Sequence, residues 1–178
     1  MKNSLVILVI SVFVVLGVAF VRIAFTNSDY EEHLAQFDIY LTDYTGYSAG
    51  KVRKEPDHRR GKMVTVDIKN NTLDGFTFMR LSDAVRADKP ADVGTVVQIK
   101  YEWDLFGQYQ HEDTGKVTGN AYKSKATVTL FDTITGKAIG RKLFIGPDPD
   151  KSQRRDGDLQ SRRPFYEIIE FLDQLPEK

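Results

Sequence analysis

Two stretches of the chain concentrate side chains suited to holding an anion. The first, Lys51 to Lys62, carries Lys51, Arg53, Lys54, Arg59, Arg60 and Lys62 against Glu55 and Asp57. The second, Lys151 to Arg163, carries Lys151, Arg154, Arg155, Arg162 and Arg163 against Asp156 and Asp158. A guanidinium presents a planar fork of N–H donors that matches two oxygens of a carboxylate or phosphate. Arg59, Arg60, Arg154, Arg155, Arg162 and Arg163 are therefore the candidate anion-binding residues. Anionic lipid or anionic polymer is the ligand class they suit. Charged loops are commonly just solvated, so this reading requires the two loops to meet on one surface.

Other chemistry has thinner support. His33, His58 and His111 show no paired-ligand spacing, and His111-Glu112-Asp113 is the one histidine beside carboxylates. A polar hairpin loop between Gly107 and Gly115 explains that triplet as well as a metal site does. Asp148, Asp150, Asp156 and Asp158 sit in a turn-rich stretch without calcium-loop spacing, and Lys151, Arg154 and Arg155 are interleaved with them. No nucleophile-elbow, phosphate-loop or dinucleotide-binding pattern is present. Asn70-Asn71-Thr72 matches a glycosylation sequon, but an Asn-Asn turn accounts for it too. The sequence thus nominates no catalytic residue, metal or cofactor. A hydrolase is the alternative reading, and it requires at least two of Asp104, His111, Glu112 and Asp148 to share a pocket.

Composition narrows the field further. The chain has 178 residues, no cysteine, and 25 basic against 25 acidic side chains. Disulfides, thiolate nucleophiles and zinc–thiolate sites are excluded. Both Lys2 and Arg22 lie in the first 25 residues, so the remainder holds 23 basic and 25 acidic residues. That balance argues against a nucleic-acid partner.

Leu5 to Phe20 is an apolar run interrupted only by Ser11 and Gly17, and Val21, Ile23, Ala24 and Phe25 extend it past Arg22. A helix of about 20 apolar residues spans a bilayer core of ~30 Å and satisfies its own backbone. Residues 5–25 therefore read as a single membrane anchor contacting lipid. Lys2 before it, and Asp29, Glu31 and Glu32 after it, favour N-in/C-out with the domain outside the cytoplasm. A cleaved signal peptide ending near Gly17-Val18-Ala19 is the alternative.

The elements that must position the loops follow from periodicity. Residues 26–44 read as a juxtamembrane amphipathic helix capped at Ser28, with Tyr30, Leu34, Phe37, Leu41 and Tyr44 on one stripe. Tyr30, Leu34, Phe37 and Leu41 either dock on the chain's own domain or offer a face to a protein partner. In residues 45–178, strands are predicted at Lys62 to Ile68, Phe76 to Leu81, Thr95 to Leu105, Tyr122 to Phe131 and Ala138 to Ile145. In the third of these, Val97, Ile99, Tyr101, Trp103 and Leu105 share one face, and Gln98, Lys100, Glu102 and Asp104 the other. Ser82-Asp83 is placed to cap a short helix through Ala87. A closing helix starts at Pro164 and buries Phe165, Ile168, Ile169, Leu172 and Leu175. The fold class is α+β, a mainly antiparallel sheet packed by an N-terminal and a C-terminal helix.

Three segments carry a resemblance: Ala126-Thr-Val-Thr-Leu-Phe-Asp-Thr, Gly140-Arg-Lys-Leu-Phe-Ile-Gly-Pro and Arg163-Pro-Phe-Tyr-Glu-Ile-Ile-Glu-Phe-Leu. Residues 95–176 resemble a domain that recurs in bacterial exported and membrane-anchored proteins. The resemblance implies a strand, hairpin, strand, polar loop and closing helix, together with export, but no activity. The expectation is an anchored extracytoplasmic domain with a binding or structural role. An extracytoplasmic hydrolase and an accessory subunit of a membrane complex are the alternatives.

Overall fold

The computed structural model describes residues 30–48, 50, 56–152 and 156–178. The apolar run at 5–25, the expected cap at Ser28, and Arg154 and Arg155 lie outside them. Among the described residues no helix is long and apolar enough to cross a membrane. The chain divides into a leading unit, Met1–Gln36, and a domain, Phe37–Lys178.

The helix expected over residues 26–44 is not continuous to residue 44. Residues 30–38 are helical (α1), residues 39–40 turn, and a second short helix, α2, covers Leu41–Thr45. The residues of the expected stripe are nonetheless the shielded ones, with Tyr30, Leu34 and Leu41 half-buried. Ile39 and Tyr40 point to solvent, while Phe37 and Tyr44 are buried. Phe37 packs edge-on against Phe78, with ring centroids 5.1 Å apart. Of the four residues expected to face a partner, Phe37 is thus claimed by its own domain.

The domain is α+β, with strands β1 (Lys62–Asp67), β2 (Thr72–Leu73), β3 (Val93–Gln110), β4 (Val117–Asp132), β5 (Ala138–Ile145) and β6 (Leu159–Gln160). Helices α3 (Gly75–Phe78) and α4 (Phe165–Asp173) complete it. The strands form one sheet in the order β2-β1-β3-β4-β5, with β6 also on β4. The sheet is mainly antiparallel, through β3–β4, β4–β5 and β1–β2, but mixed, because β1 runs parallel to β3 and β6 parallel to β4. Connection length decides this. Residues 111–116 and 133–137 are hairpin loops and force antiparallel neighbours. Residues 68–92 are long enough to cross over, and they hold β2, α3 and a 3₁₀ turn at Pro90–Asp92.

Two local expectations change with that crossover. Phe76 to Leu81 is not a strand. Asp74 accepts a hydrogen bond from the Thr77 N–H at 3.3 Å and caps the one-turn α3. Residues 82–87 form a hydrogen-bonded turn rather than a helix, and Arg86 bridges to Met63. The start of the sheet depends on a close approach. A Cβ on Gly94 would lie 2.3 Å from the Arg60 carbonyl oxygen, and the next residue, Thr95, exchanges two 2.8 Å hydrogen bonds with the Arg60 backbone.

Covering decides the core. One face of the sheet packs against α3 and α4, with Tyr101 of β3 against Phe165, Phe144 of β5 against Phe171, and the Tyr101 hydroxyl on the α3 cap Asp74. The other face is covered at one end only. There Tyr47 stacks on Phe131, and the Gln98 amide donates to the carbonyls of Tyr44, Thr45 and Tyr47. Thr95 to Ile99 are therefore buried on both faces, and Gln98 does not belong to a solvated face as expected. Met63 to Asp67 of β1 are buried on both faces for the same reason.

Candidate functional site

β3 has 18 residues and α4 only nine. At 1.5 Å per residue the helix is about 14 Å long. The strand, at ~3.3 Å per residue, runs several times further. The face that begins as core under α4 consequently ends uncovered, with Trp103 half-buried and Leu105 63% exposed.

A cleft of about 430 Å³ lies on this uncovered part, lined by Lys69, Glu102, Trp103, Tyr122, Asp158 and Gln160. Trp103 and Tyr122 come from neighbouring strands, two residue pairs apart in the β3–β4 register. Gln160 pairs with Tyr122 across β6. Lys69 is placed by the turn after β1. There Asp67 accepts hydrogen bonds from the backbone N–H groups of Lys69 and Asn70 at 3.0 and 3.3 Å, and from the Asn70 side chain at 2.8 Å. Asn71 closes that turn in the left-handed conformation, φ 53°.

Two cations stand over the indole of Trp103, the only tryptophan in the chain. Lys69 Nζ is 5.4 Å from the ring centroid and Arg163 Cζ is 5.0 Å from it. Arg163 also lies 4.4 Å from the Tyr101 ring and 5.9 Å from Phe165. Its nearest carboxylate, Asp67, is 4.0 Å away, beyond hydrogen-bond distance, and already accepts three donors. An aromatic face attracts a cation without neutralising it. The indole thus holds two positive charges, and among the described residues neither donates a hydrogen bond to a carboxylate.

The opposite side of the cleft is polar and of the other sign. Asp158 accepts from the Asn120 N–H at 2.9 Å and from its side-chain amide at 3.1 Å, and Gln108 donates to Asn120 at 3.2 Å. Only one Asp158 oxygen is engaged in these bonds. Glu102 is turned to Lys100 at 2.9 Å, and that hydrogen bond holds its carboxyl below the usual range.

The six candidate arginines fall in different surroundings. Arg59 is held by the C-terminus: Nη2 pairs with Glu177 at 2.8 Å and Nη1 donates to the Gly61 carbonyl at 2.6 Å. Arg60 Nε is 3.3 Å from the buried Asp132 carboxylate. Both stand at the start of β1, whereas Arg163 stands beside Asp67 at its end. A six-residue strand separates the two ends by roughly 20 Å. Arg162 is exposed over Tyr166, 5.4 Å from the ring. The described arginines of the two loops are thus not brought together, and of them Arg163 alone stacks on the cleft's tryptophan.

Nor are the hydrolase candidates gathered. Asp104 pairs with Lys125 and Asp148 with Lys123. His111 and Glu112 are exposed in the β3–β4 hairpin loop. Asp148 lines a second cavity of about 280 Å³ with Phe106, Tyr109 and Pro149, and the other three do not. Among the described residues no group of three or more His, Asp or Glu is arranged to hold a metal ion.

Lys69, Trp103, Tyr122 and Gln160 were not nominated by sequence. No family model, curated protein or solved structure matches the chain.

Proposed function

We propose that the chain is an extracytoplasmic binding domain, tethered N-in/C-out by one membrane segment at residues 5–25, that engages an anionic ligand at the Trp103 cleft. The observation that carries the binding role is the pair Lys69 and Arg163, two cations over one indole and neither hydrogen-bonded to a carboxylate. Arg163 keeps only a 4.0 Å ion-pair contact with Asp67, and among the described residues Lys69 has no carboxylate partner, so both charges can serve an incoming anion. The role first assigned to arginine loops thereby narrows to Arg163, joined by Lys69. The tether rests on the apolar run, which carries a single charge, Arg22, near its end.

The test uses the full-length chain with a C-terminal epitope, expressed in a bacterium. The reading expects the protein in the membrane pellet, released by detergent and not by high salt. Protease added to spheroplasts should remove the epitope. Full-length protein in the supernatant, or an epitope protected until lysis, would end the tethered reading.

A second reading, an accessory subunit of a membrane complex, draws on Ile39 and Tyr40, which are 79% and 40% exposed at the break between α1 and α2. It expects a partner to co-purify in detergent and to be lost when Ile39 becomes Asp.

A further inference from the structure

The cleft's two sides differ in chemistry, and that difference constrains the ligand more than charge alone. This step rests on the anion-binding reading of the Trp103 cleft. At one side stand Lys69 and Arg163. At the other stand Asp158, Asn120 and Gln160. Between them lies the half-buried ring of Tyr122, which neighbours Leu105 across the register.

A uniformly charged ligand fits this poorly. A polyphosphate, or the dense headgroup plane of an anionic bilayer, would bring negative charge against Asp158 as well as against the cations. A carboxylate facing an unneutralised anion is repelled. What Asp158 does suit is a hydroxyl, which donates to carboxylate oxygen in a short charge-assisted bond. Gln160 adds an amide able both to donate and to accept. Tyr122 offers a ring face, negative at its centre, for the weakly positive C–H face of a saturated ring.

One ligand class meets all three demands: an apolar ring face, several hydroxyls and one acid group. We infer that the cleft binds an acidic glycan, with a ring carboxylate or phosphate on Lys69 and Arg163, hydroxyls on Asp158 and Gln160, and a pyranose face on Tyr122. A position on a long, otherwise bare strand face suits a segment of polymer. The volume, about 430 Å³, lies within the ordinary range for small-ligand sites.

Because Trp103 is the only tryptophan, its emission reports on this cleft and nowhere else. The full-length chain in a neutral detergent is titrated separately with oligogalacturonate, hyaluronan oligosaccharide, a phosphodiester-linked sugar polymer, a neutral dextran oligomer, inorganic phosphate and phosphatidylglycerol vesicles. The inference expects at least one acidic glycan to shift Trp103 emission saturably, with dextran at least about tenfold weaker. Lys69→Ala should weaken acidic glycans about tenfold and leave the melting temperature unchanged, since one charge-assisted bond is lost from an exposed side chain. Asp158→Asn should weaken the glycan and strengthen inorganic phosphate. If vesicles or phosphate shift the emission and no glycan does, the glycan inference fails while the anionic reading stands. If dextran binds as tightly as the acidic glycans, or nothing shifts the emission, both fail.

Discussion

Ile99 and Leu105 project from the same face of the same strand, yet Ile99 is fully buried and Leu105 is 63% exposed. They mark the two halves of the β3–β4 ladder. In the half around Ile99, helices and the Tyr47 segment cover both faces, and even Thr95, Gln98 and Thr129 are buried. In the half around Leu105 the helices have run out, and the 148–151 segment covers only part of it, at Tyr109 and Ala121. The Lys125–Asp104 pair decorates one face, and the Trp103 cleft opens on the other, with Glu102 at its rim turned to Lys100. The ladder runs in regular register from Thr95 to Leu105 and shifts only beyond it, after Leu105 and after Tyr109. Strand pairing therefore fixes where side chains point, and only the length of the covering helix decides which become core and which remain available to a ligand.

The comparison breaks most directly at Ile99. Ile99→Ala should cost about 2–5 kcal/mol, the usual range for truncating a large buried aliphatic residue. Thermal or urea denaturation checks it. A cost below about 1 kcal/mol would mean that the covered half is not tightly packed.

A smaller loss tests the polar part of the same half. The Tyr101 hydroxyl donates to Asp74 Oδ2 at 2.6 Å, and Asp74 also accepts from the Thr77 hydroxyl at 2.8 Å and from its N–H. Burial, reinforced by the Asp74 charge and hydrogen bond, pushes the Tyr101 phenol well above its ordinary range. Tyr101→Phe should cost about 1–3 kcal/mol, because the buried carboxylate loses a donor. The fluorescence response of Trp103 to ligand should persist, since the phenyl ring still flanks Arg163. Loss of stability and binding together would show the halves to be one cooperative site.

Much of this division was legible in the sequence, and part of it was not. Strict alternation from Val97 to Leu105 identified the strand and its inward face. Apolar spacing in residues 165–175 identified α4, where Ile168 and Leu172 are buried and Phe165 and Ile169 half-buried, with Leu175 buried just past its end. Alternation is silent on partner direction, so the parallel β1–β3 pairing was missed. It follows instead from the length of residues 68–92. Phe76 to Leu81 misled because its aromatic residues favour strands, while the Asp74 cap and packing of Phe76 on Phe165 fix a helical turn. Clustering of arginines in sequence says little about where they sit, since neighbours such as Arg162 and Arg163 have different surroundings in the fold. The cleft did leave one signal. The apolar face of β3 is too long for a helix that Pro164 and Pro176 limit to a few turns, so its far end had to lie bare.

A pH dependence sharpens the contrast further. Asp132, at the covered end of β4, is buried. Burial raises its carboxyl, but hydrogen bonds from Thr135 and Ile134 and the Arg60 charge outweigh it, so the net shift is downward. A lowered folded value means that the contribution is complete above the ordinary carboxylate value of 3.8 and is lost as pH falls through the folded value. Asp132→Asn should therefore lower the melting temperature by a constant amount between about pH 5 and 8. The gap to the parent should close below about pH 4. A gap that widens in acid would contradict the downward shift.

The smallest expected change is the most telling. Leu105→Ala removes as much hydrocarbon as a core truncation, but from a side chain already mostly in water. Substitutions at such positions stay within about 0.5 kcal/mol. The same denaturation measurement that registers Ile99→Ala should barely register Leu105→Ala. If Leu105→Ala instead cost as much as Ile99→Ala, something in the intact protein would have to cover the far half of the strand. The cleft would then be an internal interface rather than a surface for an external ligand. A near-zero result, paired with weaker glycan binding in Tyr122→Ala, would place stability and recognition in different halves of one ladder.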